Sequence, residues 1–192
     1  MASDVDVVNA ALLKLGARPI LTMTDDSIEG RLAQRRYDTV RDDVLRAHPW
    51  NFAQKRTSVA ASATVPTYEY SFAYPVPTDF LRLMEIDSPN NEPWRIESMD
   101  DSLHILTDSG TPLKILYVYR VTNVDMMPMS FREALSATLA LEWAEAITGS
   151  SDKTVMMEQL RSRKMSEARS VDGQEQTADD VFEAFTWTDS RP

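Results

Sequence analysis

The sequence contains no cysteine, which excludes disulfides, thiolate metal centres, iron–sulfur clusters and cysteine nucleophiles together. Histidine is nearly as scarce. Only His48 and His104 are present, so a general base or an imidazole-bound metal would have to be built on one of those rings. No apolar run approaches the roughly eighteen residues of a membrane-spanning helix, and the N-terminus lacks the basic-then-apolar pattern of a signal peptide. A soluble, cytoplasm-like setting without membrane contact is the expectation. Positive charge is also short. Twenty Lys and Arg face thirty Asp and Glu, giving a net charge of −10 and a pI near 4.7. Proteins that grip nucleic acid carry clustered basic residues that displace counterions, so tight binding to a phosphate backbone is not expected here. No glycine-rich phosphate loop, GxSxG elbow or HExxH occurs.

What is present divides the chain clearly. Eight of the ten prolines lie between Pro49 and Pro128, and proline is poorly tolerated inside helices. Gly16, Gly149 and Gly173 each follow a helix-patterned segment, where a left-handed C-cap is needed. The pattern predicts an α+β protein with a bundle of about four helices, an antiparallel β-rich insertion between helices two and three, and an extended C-terminal tail. The boundaries read as 1–52 and 129–172 for the bundle, 53–128 for the insertion and 173–192 for the tail.

Ser3 is the expected N-cap of a first helix to Leu15, with Val5, Val8, Ala11, Leu12 and Leu15 inward. A second helix follows Thr24-Asp25-Asp26-Ser27 and runs to about Ala47 on the stripe Ile28, Leu32, Ala33, Tyr37, Val40 and Val44. Pro49 ends it by forcing His48 out of the α region. Ser130 and Glu133 suggest a capping box opening a third helix through Thr148, apolar on two sides and therefore central. A fourth helix spans about Asp152 to Val171. Strands are expected at 68–74, 80–87, 94–98, 103–107 and 113–121, the last two joined as a hairpin through Asp108–Pro112.

Each candidate for chemistry has a plainer reading beside it. His48 sits where capping or packing is expected, and His104 sits in a strand. The carboxylate pairs Asp25-Asp26, Asp42-Asp43, Asp100-Asp101 and Asp179-Asp180 are adjacent in sequence, so on regular elements their side chains diverge. Capping explains the first pair, a solvated helix face the second, and loop or tail solubility the others. Arg161, Arg163 and Lys164 form too small a basic cluster for a nucleic-acid footprint. No catalytic residue, metal site or cofactor is assigned. His48, Trp50 and Phe52, directly after a helix stop, are expected to dock the β-rich part on the helices.

Several pieces in order carry a resemblance. They are Asn9-Ala10-Ala11-Leu12, Leu15-Gly16, Pro19-Ile20, Tyr37-Asp38, Arg41-Asp42, Val44-Leu45-Arg46 and His48-Pro49-Trp50-Asn51-Phe52-Ala53. Further along come Pro77-Thr78-Asp79-Phe80-Leu81-Arg82-Leu83, Tyr117-Val118 and Phe131-Arg132-Glu133-Ala134-Leu135. Together, across roughly 5–169, the chain resembles the tail tubular protein A family of short-tailed bacteriophages. The resemblance implies a non-enzymatic head-to-tail adaptor. Such a subunit joins a homo-oligomeric ring, usually of twelve copies, beneath the portal protein, meets the tail nozzle protein below, and encloses the channel through which genomic DNA leaves. It implies location in the virion neck, and in the host cytoplasm during assembly.

A ring requires two different complementary faces on each subunit. Arg31, Arg35, Asp38, Asp42 and Arg46 on the second helix are candidates for that contact, with pairing inside the helix, such as Asp42 with Arg46, as the alternative. Twelve copies at −10 each would carry −120, a sign that repels phosphate, so carboxylates are expected to outnumber bases on the channel wall. In the acidic tail, Phe182, Phe185 and Trp187 are expected to be anchors for portal pockets. Two other readings stay open. One is an assembly accessory or chaperone not retained in the particle; the other is an enzyme with a site between subunits near His48.

Overall fold

The computed structural model describes residues 2–88 and 92–175. The protein is α+β, with four helices and two small antiparallel sheets among the described residues, the strands lying between the second and third helices. The candidate anchors Phe182, Phe185 and Trp187 lie outside the described residues.

Helix α1 (Asp4–Leu15) starts at a capping box in which Ser3 and Asp6 satisfy each other's backbone N–H groups, and ends at Gly16 with φ 75°. It buries Val7 as well as Val8, Ala11, Leu12 and Leu15. Helix α2 (Ile28–Ala47) is capped by the Ser27 hydroxyl, which accepts from Gly30 N–H at 3.0 Å, and is stopped by His48 in extended geometry before Pro49. Asp25 shapes the approach to α2 by accepting from Leu21 N–H at 2.7 Å, a bond that holds its carboxyl below the usual value.

Helix α3 (Met129–Thr148) packs on α1, α2 and α4. Its start corrects the capping-box expectation: Pro128 is the N-cap, and Ser130 lies within the first turn. The fixed proline φ preorganises that turn without a side-chain cap. Helix α4 (Ser151–Gln174) begins at the Ser150 cap and runs through Gly173. That glycine is therefore not a C-cap; the helix continues to Gln174 and Glu175 is the cap residue.

The β region differs more from expectation. Strand β1 (Gln54–Val59) was not expected, because its residues are mostly polar and it is an edge strand. Strand β2 (Phe72–Pro75) is shorter than the expected 68–74. Tyr68–Tyr70 instead makes a tight turn, with Glu69 at φ 72° and Tyr70 N–H donating to Tyr68 C=O at 2.9 Å. Strands β3 (Phe80–Ile86), β4 (Trp94–Met99), β5 (Ser102–Thr107) and β6 (Leu113–Tyr119) fall close to their expected positions.

Pairing overturns the expected hairpin. β5 lies in the sheet β2-β5-β4 and β6 in the sheet β1-β6-β3, so Asp108–Pro112 crosses between sheets. The true tight hairpin joins β4 to β5 through Asp100 and Asp101, both with positive φ (52° and 60°). These dihedrals belong to the two-residue turn whose twist matches paired strands. Aspartate tolerates that region better than most residues, but without glycine the signal was hidden.

The two sheets enclose Tyr74, Leu83, Ile86, Ile105, Leu113, Ile115 and Tyr117. A larger core lies in the bundle and takes in Leu81 of β3 and Val118 of β6. Strand β6 therefore forms a wall of both cores.

Candidate functional site: the helix–sheet junction and the surface of α2

Trp50, Phe52 and His48 gather where the bundle meets the sheets. Trp50 is 1% exposed, and its indole N–H donates to Val44 C=O at 2.9 Å, so burial leaves no polar group unpaired. Its ring meets Phe131 of α3 edge-on at 5.0 Å, and Phe52 meets the same ring at 4.8 Å. His48 packs edge-on against Trp50 at 4.6 Å. The chain thus leaves α2, places two aromatics against α3 in one short 3₁₀ turn (Asn51–Ala53), and enters β1.

The sequence reading missed Asp172. Its carboxylate, 8% exposed, faces His48 Nε2 at 3.2 Å and accepts from Asn51 N–H at 2.9 Å. The Asn51 side-chain amide donates in turn to Asp172 C=O at 2.6 Å. A carboxylate in the last turn of a helix opposes the helix dipole, and here it is held by donors at the start of the 3₁₀ turn. Only that unfavourable placement marks the residue in the sequence.

The charges on α2 are largely engaged within the chain. Arg41, 4% exposed, pairs with Asp38 at 2.8 Å and with Asp42 at 2.9 Å. Asp42 also meets Arg120, just beyond β6, at 2.6 Å. Pairing inside the helix, the alternative to a neighbour contact, does occur, but through Arg41 rather than between Asp42 and Arg46. Arg46 donates instead to Leu81 C=O of β3, and Asp42 is a joint between helix and sheet rather than a residue on a solvated face. Arg31 pairs with Asp26 at 2.7 Å and Arg36 with Glu142 at 2.7 Å. Arg35 is exposed and pairs with no carboxylate among the described residues. Of the five candidate contact residues, Arg31, Arg35 and Asp38 are exposed and remain accessible to a neighbour, and among these Arg35 has no carboxylate partner among the described residues.

A second cluster missed in the sequence ties β1 and β6 to the residue that leads into β3. Asp79 accepts from Lys55 Nζ at 2.8 Å and from Tyr117 OH at 2.9 Å, and its C=O accepts from Arg120 N–H at 2.7 Å. Burial pushes the Asp79 carboxyl up, but the Lys55 and Tyr117 hydrogen bonds outweigh it and leave the pKa below the usual value. Burial and the Asp79 charge push Tyr117 up to about 12. The phenol therefore stays protonated and donating at neutral pH, as a structural tie requires.

His104 is buried in β5 and its Nδ1 lies 3.3 Å from Ser102 C=O, an ordinary strand position. Among the described residues no group of three or more His, Asp or Glu side chains is gathered as a metal site, and no helix is long and apolar enough to cross a membrane. No family model and no curated protein matches the chain.

Proposed function

We propose that the chain is a structural adaptor of a short-tailed phage. It would form a ring beneath the portal, join it to the tail nozzle, and enclose the DNA exit channel without catalysing a reaction. One observation carries the reading. Pieces of the family-like pattern that are far apart in sequence are partners in space. The Asn9 amide exchanges two hydrogen bonds with the Ile20 backbone, at 2.8 and 3.0 Å. Arg46 reaches Leu81, Asp79 receives Tyr117, and Trp50 packs on Phe131. A set of residues that interlocks in this way behaves as one framework, which favours a resemblance of the whole chain over a chance run of short matches.

Ring formation then needs unlike faces. Arg31 and Arg35 supply accessible positive charge on one of them, and the complementary face belongs to the neighbouring copy. The test is negative-stain imaging and sedimentation of the purified chain, with and without the portal protein of the same particle. A closed ring on the portal is expected. A chain that remains monomeric in both conditions overturns the reading, and a chain that assembles but is missing from purified virions by mass spectrometry favours the accessory reading.

A further inference from the structure

Two sheets have four edges, and two of these are regular strands left open. Strand β3 shifts register twice along β6. Strand β2 is four residues long, ends in Pro75, and has its Ala73 C=O taken by Ser62 N–H at 2.7 Å. Irregularities and proline are common means of closing an edge to further pairing. Strand β1, by contrast, keeps an unbroken register with β6 from Gln54 to Val59, and β4 does so with β5 from Trp94 to Met99. Among the described residues no backbone group of another segment hydrogen-bonds the outer side of either strand. Each presents a row of unmet N–H and C=O groups.

The two open edges lie on opposite sides. Ser62, three residues past β1, is bonded to β2, so β1 and β2 border the same side of the two-sheet unit. With β6 and β5 central in their sheets, β3 and β4 border the other side. A head-to-tail contact between copies needs an arrangement of this kind, with unlike and complementary surfaces at the two sides.

The strands also match residue by residue. Each is six residues long. Paired antiparallel over that length, they set Arg56 opposite Glu97 and Ser58 opposite Arg95 on one face. On the other face Val59 meets Trp94 and Thr57 meets Ile96, and Val59 and Ile96 already pack on the core between the sheets. Arg56 is exposed with no carboxylate partner among the described residues, and there Glu97 reaches only Arg95, at 3.9 Å. Trp94, 38% exposed, gains a cross-strand neighbour. Other pairings fit less well. A slip of one residue turns the apolar side chains to the wrong face. Parallel pairing over the same length sets Lys55 beside Arg95, and β1 against a second β1 gathers four basic side chains.

We propose that β1 of one copy pairs antiparallel with β4 of the next, so that sheets of neighbouring subunits join into one. The pairing stands on the two edges; its closure into a ring rests on the adaptor reading.

The absence of cysteine makes the test direct. Full chains carrying Ser58→Cys and Arg95→Cys are mixed in equal amounts, assembled with portal where assembly requires it, and oxidised with copper–phenanthroline. Opposed residues of an antiparallel pair have Cα atoms about 4.5–5.5 Å apart, within disulfide range. A disulfide from position 58 of one copy to position 95 of another is expected, identified by mass spectrometry of the linked peptides. It should vanish when Gln34→Cys, on exposed α2, replaces either partner. Links of 58 to 58 or 95 to 95 in its place overturn the proposal, and so does an assembly with no link. As a second measurement, Arg56→Glu and Glu97→Arg should each weaken self-association by about two- to fivefold. Combined they should restore most of it, and losses that simply add overturn the pairing. The parent chain separates the two readings. A parent ring whose variants lack the 58–95 link defeats this proposal alone, linked dimers that never close defeat the ring alone, and a parent that never assembles defeats both.

Discussion

The imidazole of His48 and the carboxylate of Asp172 stand 124 residues apart in sequence and 3.2 Å apart in space. Through this contact and the two Asn51 hydrogen bonds, the end of α4 is fastened to the place where α2 stops and the sheets begin. Replacing Asp172 by Ala should cost about 1–3 kcal/mol, the usual penalty for leaving buried polar partners unmet. Urea denaturation measures it. A protease limited to frayed ends should at the same time cut the last turn of α4 faster.

Trp50→Ala should be among the most damaging single changes, at about 3–5 kcal/mol. It removes a fully buried indole, its bond to Val44 C=O and its contact with Phe131. Trp50→Phe should recover much of the packing but not the hydrogen bond. Comparing the two midpoints in denaturant separates the contributions.

Two glycines should respond with opposite signs. A Cβ on Gly30 would sit 2.2 Å from the carbonyl oxygen of Asp25, which is backbone and cannot swing away. Gly30→Ala should therefore lower the thermal midpoint by forcing apart the 21–25 turn and the start of α2. Gly173 has open space around it and lies within α4. Gly173→Ala should stabilise by about 0.5 kcal/mol through reduced unfolded-state freedom and better helix propensity.

Acid should loosen the β1-β6-β3 sheet through Asp79. Its native pKa lies below the ordinary 3.8. A depressed carboxyl contributes stability that is fully present above the ordinary value and is lost as pH falls through the native one. In Asp79→Asn that part of the acid dependence should be absent, and the variant should be less stable than the parent at pH 7. Parallel denaturation series between pH 2 and pH 7 read the difference.

Asp42→Ala tests whether that residue acts inside the chain. It should destabilise the isolated subunit, because Arg41 is buried and loses one of its two carboxylates while Arg120 loses its link to α2. Arg35→Glu, by contrast, should leave the subunit's stability within about 0.5 kcal/mol. Any effect it has should appear in assembly, read by sedimentation.

The sequence made the helices legible because their signals are local. The Ser3 and Ser27 caps, Gly16, and Pro49 after His48 act within a few residues, and each is where the periodicity places it. Strand partners depend on contacts between distant residues, and there the reading failed. β5 and β6 look like a hairpin until the sheets part at Asp108–Pro112, and β1 lacks the apolar alternation that would announce it. At the junction the aromatics were legible because two large rings after a helix stop must pack somewhere. Asp172 was not, since one aspartate among many shows its role only once the helix end is brought to Asn51. On α2 the charges were visible, but their partners Arg120 and Leu81 lie across the fold.

Strand β6 turns Leu113, Ile115 and Tyr117 toward one core and Val118 toward the other. Neither compartment can melt while its shared partition stays intact, so bundle and sheets should lose their order together. A scanning calorimeter should then record one endotherm rather than two, and any load delivered to the sheets should be felt at once by the helices.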